Sequence, residues 1–270
     1  MNNSMITAAA SMYSLQQKLD MIADNMANLN TAGYKRKTSV FEDLLTSVQP
    51  QEDAFLLAGR RTPPGFTQGW GARMSAMLLD LTQGTLQETG LESDLAIEGN
   101  ALFQITVNGT TAYTRHGAFQ LIPLPNGDRQ LVTADGHAVQ DEFGLDIIVP
   151  ADYKLVVSSD GVMRGEGLPG TLPIELGRIG LVQVLKPELL RSIGDNLYGV
   201  SEGTDIAQVV QPLEEEAEGV SVRQGFIEQS NVDLTTEMAD LIAVQRAYQL
   251  SARALASAEQ MMSMANNLRG

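Results

Sequence analysis

The chain has 270 residues and a formal net charge of −15, with 43% apolar and 19% charged residues, a balance that suits one large globular domain or two small ones. The negative charge excludes a basic nucleic-acid footprint, because phosphate repels it. Cysteine is absent, which excludes a disulfide framework and a thiolate metal site.

The N-terminus, Met1-Asn2-Asn3-Ser4-Met5, lacks the charged and apolar regions of a cleaved secretory signal. No stretch approaches the roughly 20 apolar residues of a spanning helix, so the chain is not expected to cross a membrane by one. Residues 4–29 read as a helix. Met5, Met12, Leu19 and Met26 recur every seven residues, and Ala8, Leu15, Ile22 and Leu29 repeat the pattern three residues on. That is an unbroken coiled-coil seam. Only Lys18, Asp20 and Asp24 are charged, and the rest of the outer face is small and uncharged. A helix that meets water usually carries more charge, so this one suits contact on several sides.

Residues 31–73 are broken by Pro50, Pro63, Pro64, Gly59, Gly65, Gly69 and Gly71. The basic cluster Lys35-Arg36-Lys37 reads as a solvated loop, and Phe41 to Val48 as a short helix. Phe55, Leu56, Leu57, Phe66 and Trp70 argue that part of the segment packs on something. An irregular stretch this long inside a compact domain is normally functional or disordered.

From about Met74 to Val222 the period falls to two. Asn108-Gly109, Asn126-Gly127, Asp135-Gly136 and Asp160-Gly161 are hairpin dipeptides. Strands are expected at 101–107, 111–114, 130–133, 146–149, 154–158 and 179–184, with a short turn at 187–191. The acidic run Glu214, Glu215, Glu216, Glu218 reads as another solvated loop. Residues 234–268 contain no Gly or Pro. Leu234, Leu241, Tyr248, Leu255 and Met262 hold one heptad position; Val244, Ala258 and Ala265 hold its companion, with Ser251 the polar member. Asp233 is placed to cap this second helix. Two helices paired alone bury little and are marginal without partners, so both are expected to be loose in the free chain and to order on assembly.

Residues with catalytic chemistry are sparse. His116 and His137 have no partner at metal-ligand spacing. Gly165-x-Gly167-x-x-Gly170 matches a dinucleotide fingerprint by letters, but Pro169 interrupts it and no helix follows, so it reads as a loop. Asn2 and Asn108 stand in glycosylation sequons, and for Asn108 the hairpin turn already explains the letters. Asp141 and Glu142 are adjacent and would point to opposite faces of a strand. No cofactor, metal or small-molecule substrate is expected.

Several motifs resemble the flagellar rod and hook family. Asp24-Asn25-Met26-Ala27-Asn28-Leu29-Asn30-Thr31-Ala32-Gly33-Tyr34-Lys35 resembles its N-terminal signature, and Val40-Phe41-Glu42-Asp43-Leu44-Leu45 the segment that follows in its distal-rod members. Asp94-Leu95-Ala96-Ile97-Glu98-Gly99, Ala112-Tyr113-Thr114-Arg115-His116-Gly117-Ala118-Phe119 and Leu131-Val132-Thr133-Ala134 resemble its β-domain motifs, and Ser192 to Tyr198 a later one. Gly225 to Val232 and Val244-Gln245-Arg246-Ala247-Tyr248 resemble its C-terminal signature. The matches come in family order along nearly the whole chain. Ala101-Leu102, where the family has Gly-Phe, and His116, where it has Asp, depart from it.

The resemblance implies an α+β fold. A discontinuous terminal-helix coiled-coil domain, from residues 1–30 and 226–270, would accompany an antiparallel β-rich outer domain at 74–225. Residues 31–73 would form an extended inter-subunit segment. It further implies a structural subunit of the basal-body rod, closest to the distal-rod members, with a proximal-rod or rod-like paralogue as the neighbouring reading. Subunits would stack into a hollow, torque-carrying tube with copies of themselves and other axial proteins, after passage through the flagellar export apparatus. Met5, Ala8, Met12, Leu15, Leu19, Ile22, Met26, Leu29, Leu234, Leu241, Val244, Tyr248, Leu255 and Met262 would supply the assembly interface. A secreted glycan-binding module and an envelope hydrolase are the readings from other classes; neither explains the matched terminal heptads.

Overall fold

The computed structural model describes residues 3–43, 47–49, 66–68, 71–167, 172–194, 196–200, 203–213 and 219–267. It divides into two compact units. Unit 1 holds Met1–Met26, Lys37–Leu78 and Leu234–Gly270, and unit 2 holds Ala27–Arg36 and Leu79–Asp233. The chain therefore crosses between units four times.

Unit 1 is built on two long helices, α1 (Asn3–Ala27) and α3 (Leu234–Asn267). Both are free of Gly and Pro, and at about 1.5 Å per residue they run roughly 38 Å and 51 Å. Strand β1 (Lys37–Asp43) pairs with β4 (Ala72–Leu79), and β2 (Ser47–Gln49) pairs antiparallel with β3 (Phe66–Gln68). The helix expected at 41–48 is therefore absent: Lys37 to Asp43 is strand, in keeping with the β-branched and aromatic run Thr38, Val40, Phe41. Phe66 belongs to β3, while Phe55, Leu56, Leu57 and Trp70 lie outside the described residues.

Unit 2 is almost all strand: β5 (Leu86–Glu88), β6 (Leu95–Glu98), β7 (Ala101–Val107), β8 (Thr110–Thr114), β9 (Phe119–Pro123), β10 (Arg129–Thr133), β11 (Ala138–Val139) and β12 (Ile148–Val149). Next come β13 (Lys154–Val157), β14 (Val162–Glu166), β15 (Ile174–Arg178), β16 (Leu181–Val184), β17 (Leu190–Gly194) and β18 (Leu197–Val200). A one-turn helix, α2 (Ile206–Val209), precedes β19 (Val210–Pro212), β20 (Ser221–Gln224) and β21 (Phe226–Glu228). A ten-stranded sheet follows the order β12-β10-β11-β7-β8-β18-β17, with β9 on β10, β16 on β7 and β19 on β16. β13-β14-β15 form a separate antiparallel sheet. β6 pairs with β20 and β5 with β21, so the exit segment of unit 2 lies beside its early strands.

All four hairpin dipeptides turn the chain between antiparallel neighbours: β7–β8, β9–β10, β10–β11 and β13–β14. At Asn108-Gly109 both residues have positive φ, 50° and 80°, the left-handed pair that a two-residue hairpin requires. Strand 101–107 falls where expected. The strand expected at 146–149 shrinks to Ile148–Val149, with Asp146 in an isolated bridge to Gln140, and that at 179–184 begins at Leu181. The expected turn at 187–191 is a short 3-10 turn, Pro187–Leu189, that runs straight into β17. Gly165, read as loop, lies inside β14, where an added Cβ would come within 2.9 Å of Ile174.

The core of unit 2 has two parts, and β7 feeds both. Ala101, Phe103 and Ile105 join Leu95, Ile97, Phe119, Leu131, Leu155, Met163 and Ile179 on one side. Leu102 joins Tyr113, Val182, Val184, Leu190, Tyr198, Val209 and Val210 on the other. Successive side chains of a strand point to opposite faces, so a strand apolar at consecutive positions is covered on both. Phe103 and Phe119 meet edge to face with centroids 5.0 Å apart.

Candidate functional site

Part of the heptad series comes together in unit 1. Met21 and Ile22 of α1 and Val244 of α3 are buried together, with Leu15, Leu19, Met26 and Leu241 packed around them. Met5, Ala8 and Met12 are half-buried, as are Tyr248 and Leu255, and Ala258 is buried. Leu29 lies beyond α1, half-buried in unit 2. Leu234 and Met262, near the two ends of α3, are 39% and 43% exposed. Beside the seam, Ser11, Ser14, Leu15, Lys18, Phe41, Ala72, Ala243, Val244 and Ala247 line an apolar cavity of about 370 Å³. The Lys18 ammonium sits 5.7 Å from the Phe41 ring centroid.

A second apolar stripe on α3 is left open. Met238, Ile242, Leu250, Met261 and Met264 are 50%, 51%, 66%, 54% and 59% exposed. At about 100° per residue, their mean direction lies roughly opposite that of Leu241, Val244, Tyr248, Leu255 and Ala258. α3 thus has one face on α1 and another whose large apolar side chains are half or more exposed. Heptad reading found only the first face.

The signature segment after α1 supplies ties of another kind. The Asn25 amide donates to the Lys37 carbonyl (2.9 Å) and accepts from the Lys37 N–H (3.0 Å), which fixes the start of β1 against the end of α1. Gly33, at φ 70°, approaches the His116 backbone so closely that an added Cβ would lie 2.6 Å from it. Its N–H donates to Glu228 O (2.7 Å), and Asn196 Nδ2 donates to Ala32 O (3.0 Å).

Lys35, read as a solvated loop residue, is 1% exposed. Its Nζ lies 2.7 Å from Glu228 Oε1 and donates also to Thr82 O (2.7 Å). The other Glu228 oxygen accepts from Arg115 Nε at 2.5 Å, and Oε1 takes a further bond from Gly84 N–H at 2.8 Å. Arg115 spends its remaining nitrogens on Ile97 O (2.8 Å) and Ala101 O. One carboxylate therefore holds two buried cations, and the surplus positive charge faces main-chain carbonyls. Burial lowers the Lys35 pKa, and Arg115 lowers it further, against the pull of Glu228. Burial raises Tyr198 beside the cluster to about 12, tempered by its hydrogen bond to the Lys35 backbone. Burial lowers His116, partly countered by Asp135 and Asp94. Asn231 completes the collar: Oδ1 accepts from Arg36 N–H (2.7 Å), and Nδ2 donates to Asp80 O (2.8 Å) and Thr82 O (3.0 Å). Every member belongs to unit 2.

Three family models match the chain: a flagella basal body rod protein model over residues 5–35, the D1 domain of the FlgE/F/G hook proteins over 96–165, and the C-terminal model of the FlgEFG basal body rod proteins over 223–268. The chain is 35% identical to the flagellar hook-basal body complex protein FlhP of Bacillus subtilis, over 100% of both chains. It is 33% identical to the basal-body rod protein FlgG of Borreliella burgdorferi, over 100% of this chain and 99% of that one, and 31% identical to FlgG of Bacillus subtilis over 100% of both. The chain belongs to the flagellar basal-body rod family. Within this rod-family chain the three matched segments converge on the collar: Lys35 comes from the first, Arg115 from the second and Glu228 from the third. The motifs alone do not reveal this contact, because nothing in the letters pairs residues 193 positions apart.

Proposed function

We propose that this chain is a structural subunit of the flagellar basal-body rod that works by self-assembly and not by catalysis. The observation that carries this is the pair of apolar faces on α3. One packs on α1, and the other is exposed where a neighbouring helix would cover it. Five large exposed apolar side chains on one side of a single helix favour an interaction site. Each Leu, Ile or Met buried fully there contributes about 1.5–3 kcal/mol, which repeated contacts in a helical array supply to every subunit. The heptad residues from Met5 to Met26 and from Leu241 to Leu255 then build the pair that presents this face. Copies of the chain and other axial proteins are the partners, and the flagellar export apparatus is the route. No described helix is long and apolar enough to cross a membrane.

The distal rod is the segment we favour, on the FlgG relatives. The higher identity to FlhP than to FlgG within one organism, Bacillus subtilis, supports a second reading as a rod-like hook-basal body paralogue. Polymerisation of the purified chain, followed by sedimentation and electron microscopy, tests the proposal. Wild type forms tubes, and Ile242→Ser with Leu250→Ser leaves it soluble with its circular dichroism unchanged. Tubes from the double variant contradict the role of this face.

A further inference from the structure

The four places where the chain passes between its units are 26/27, 36/37, 78/79 and 233/234. The segments of unit 2 that flank them are 27–36, 79–84 and 226–233, and side chains lace them together. Lys35 reaches from the first segment to Thr82 in the second and Glu228 in the third. Asn231 reaches from the third to Arg36 and to Asp80 and Thr82. The main chain adds Asp80 N–H to Arg36 O at 2.8 Å and Gly33 N–H to Glu228 O at 2.7 Å. Arg115, on the loop after β8, fastens Glu228 to the ends of β6 and β7 through Ile97 O and Ala101 O.

We infer that Glu228 and Asn231 are positioning residues that gather the crossings at 36/37, 78/79 and 233/234 at one place on unit 2, while Asn25, bonded to Lys37, brings the end of α1 to the second of the four, so that α1 ends and α3 begins at a fixed spacing. Segments without these ties would leave those ends free. Bringing them together costs closure entropy each time the helices pair. The collar removes that cost in advance, and helix pairing becomes a local event with a set register. A single buried carboxylate suits the task. It ties three donors on different segments, and withdrawing it leaves Lys35 and Arg115 buried without a counter-charge. Asn231 does the same work without charge, through one acceptor and two donor bonds. The inference stands on the geometry of unit 2; only its consequence for rod building rests on the reading of α3 as an assembly element.

The absence of cysteine makes the test clean. Asn30→Cys and Asp233→Cys, both at exposed positions, take a pair of spin labels in the full-length chain, and their separation is measured in solution. The collar predicts one narrow distance component. Asn231→Ala and Glu228→Gln each lose that component, while hydrogen exchange of β7 and β10 stays slow. Glu228→Asp, which keeps the charge on a shorter arm, falls between them. A narrow component that survives in Asn231→Ala and in Glu228→Gln overturns the inference. Equal loss of protection in β7 and β10 in both variants also overturns it, since these residues would then serve only the fold of unit 2. The distance is read on the free chain. A wild-type chain with the narrow component that never polymerises therefore contradicts the rod reading and leaves the collar standing.

Discussion

Unit 2 has a large buried core and unit 1 a thin one. In unit 2 the apolar residues of β7 are covered on both faces, Phe103 is fully buried, and even its charged residues Lys35, Arg115 and Glu228 find partners inside. Among the described residues of unit 1 the buried apolar side chains are Met21, Ile22, Val244 and Ala258, with half-buried neighbours. Large side chains such as Tyr13 and Leu250, each 66% exposed, stay in contact with water. A domain that covers its own apolar surface is stable alone, while helices that cover half of theirs depend on what docks next. In the proposed assembly, neighbours would complete the part with the thinner core.

The sharpest break of that contrast is Phe103→Ala. A buried Phe truncated in a well-packed core costs about 3–5 kcal/mol, so unit 2 should melt well below wild type in a thermal scan by circular dichroism. Gly33→Ala comes next. The left-handed backbone alone costs a non-glycine residue about 1–2 kcal/mol, and its Cβ would press on the His116 backbone. A urea midpoint within error of wild type would show that this approach is not needed. Leu15→Asp or Ile22→Asp should abolish polymerisation yet shift the unit 2 transition by less than about 0.5 kcal/mol, as expected of a change remote from its core. Wild-type motility in cells carrying either variant would count against the seam.

The smallest effect concerns pH. Burial holds the His116 pKa below its ordinary 6.5. The unfolded chain therefore takes up a proton below about pH 6.5 that the folded chain refuses, so stability falls with pH from there until the folded value is passed. Measured as the difference in urea midpoint between wild type and His116→Asn, this slope should vanish above neutrality. A wild-type midpoint that gains on that of His116→Asn as pH falls below about 6.5 would contradict it.

The parts that the sequence shows plainly are those governed by local chemistry. Seven-residue spacing from Met5 to Met26 marks α1, and the four Asx-Gly turns mark hairpins, because each depends on residues near in the chain. Phe41 to Asp43, expected to begin a helix, is the end of β1, since so short a stretch does not choose between helix and strand without its partner, β4. The collar was invisible for a stronger reason. Lys35 sits in a basic triplet that looks solvated, and only folding brings Glu228 to it. The second stripe of α3 is legible in part at positions 238 and 242, but the members at 250, 261 and 264 break any regular heptad spacing.

Hydrogen exchange on the free, full-length chain, compared with the same chain in assembled rods, tests the contrast between the two units most directly. The account predicts that amides of α1 and α3 exchange much faster than those of β7 and β10 in the free chain and become protected in the rod. Equal, strong protection of helices and strands before assembly would contradict it.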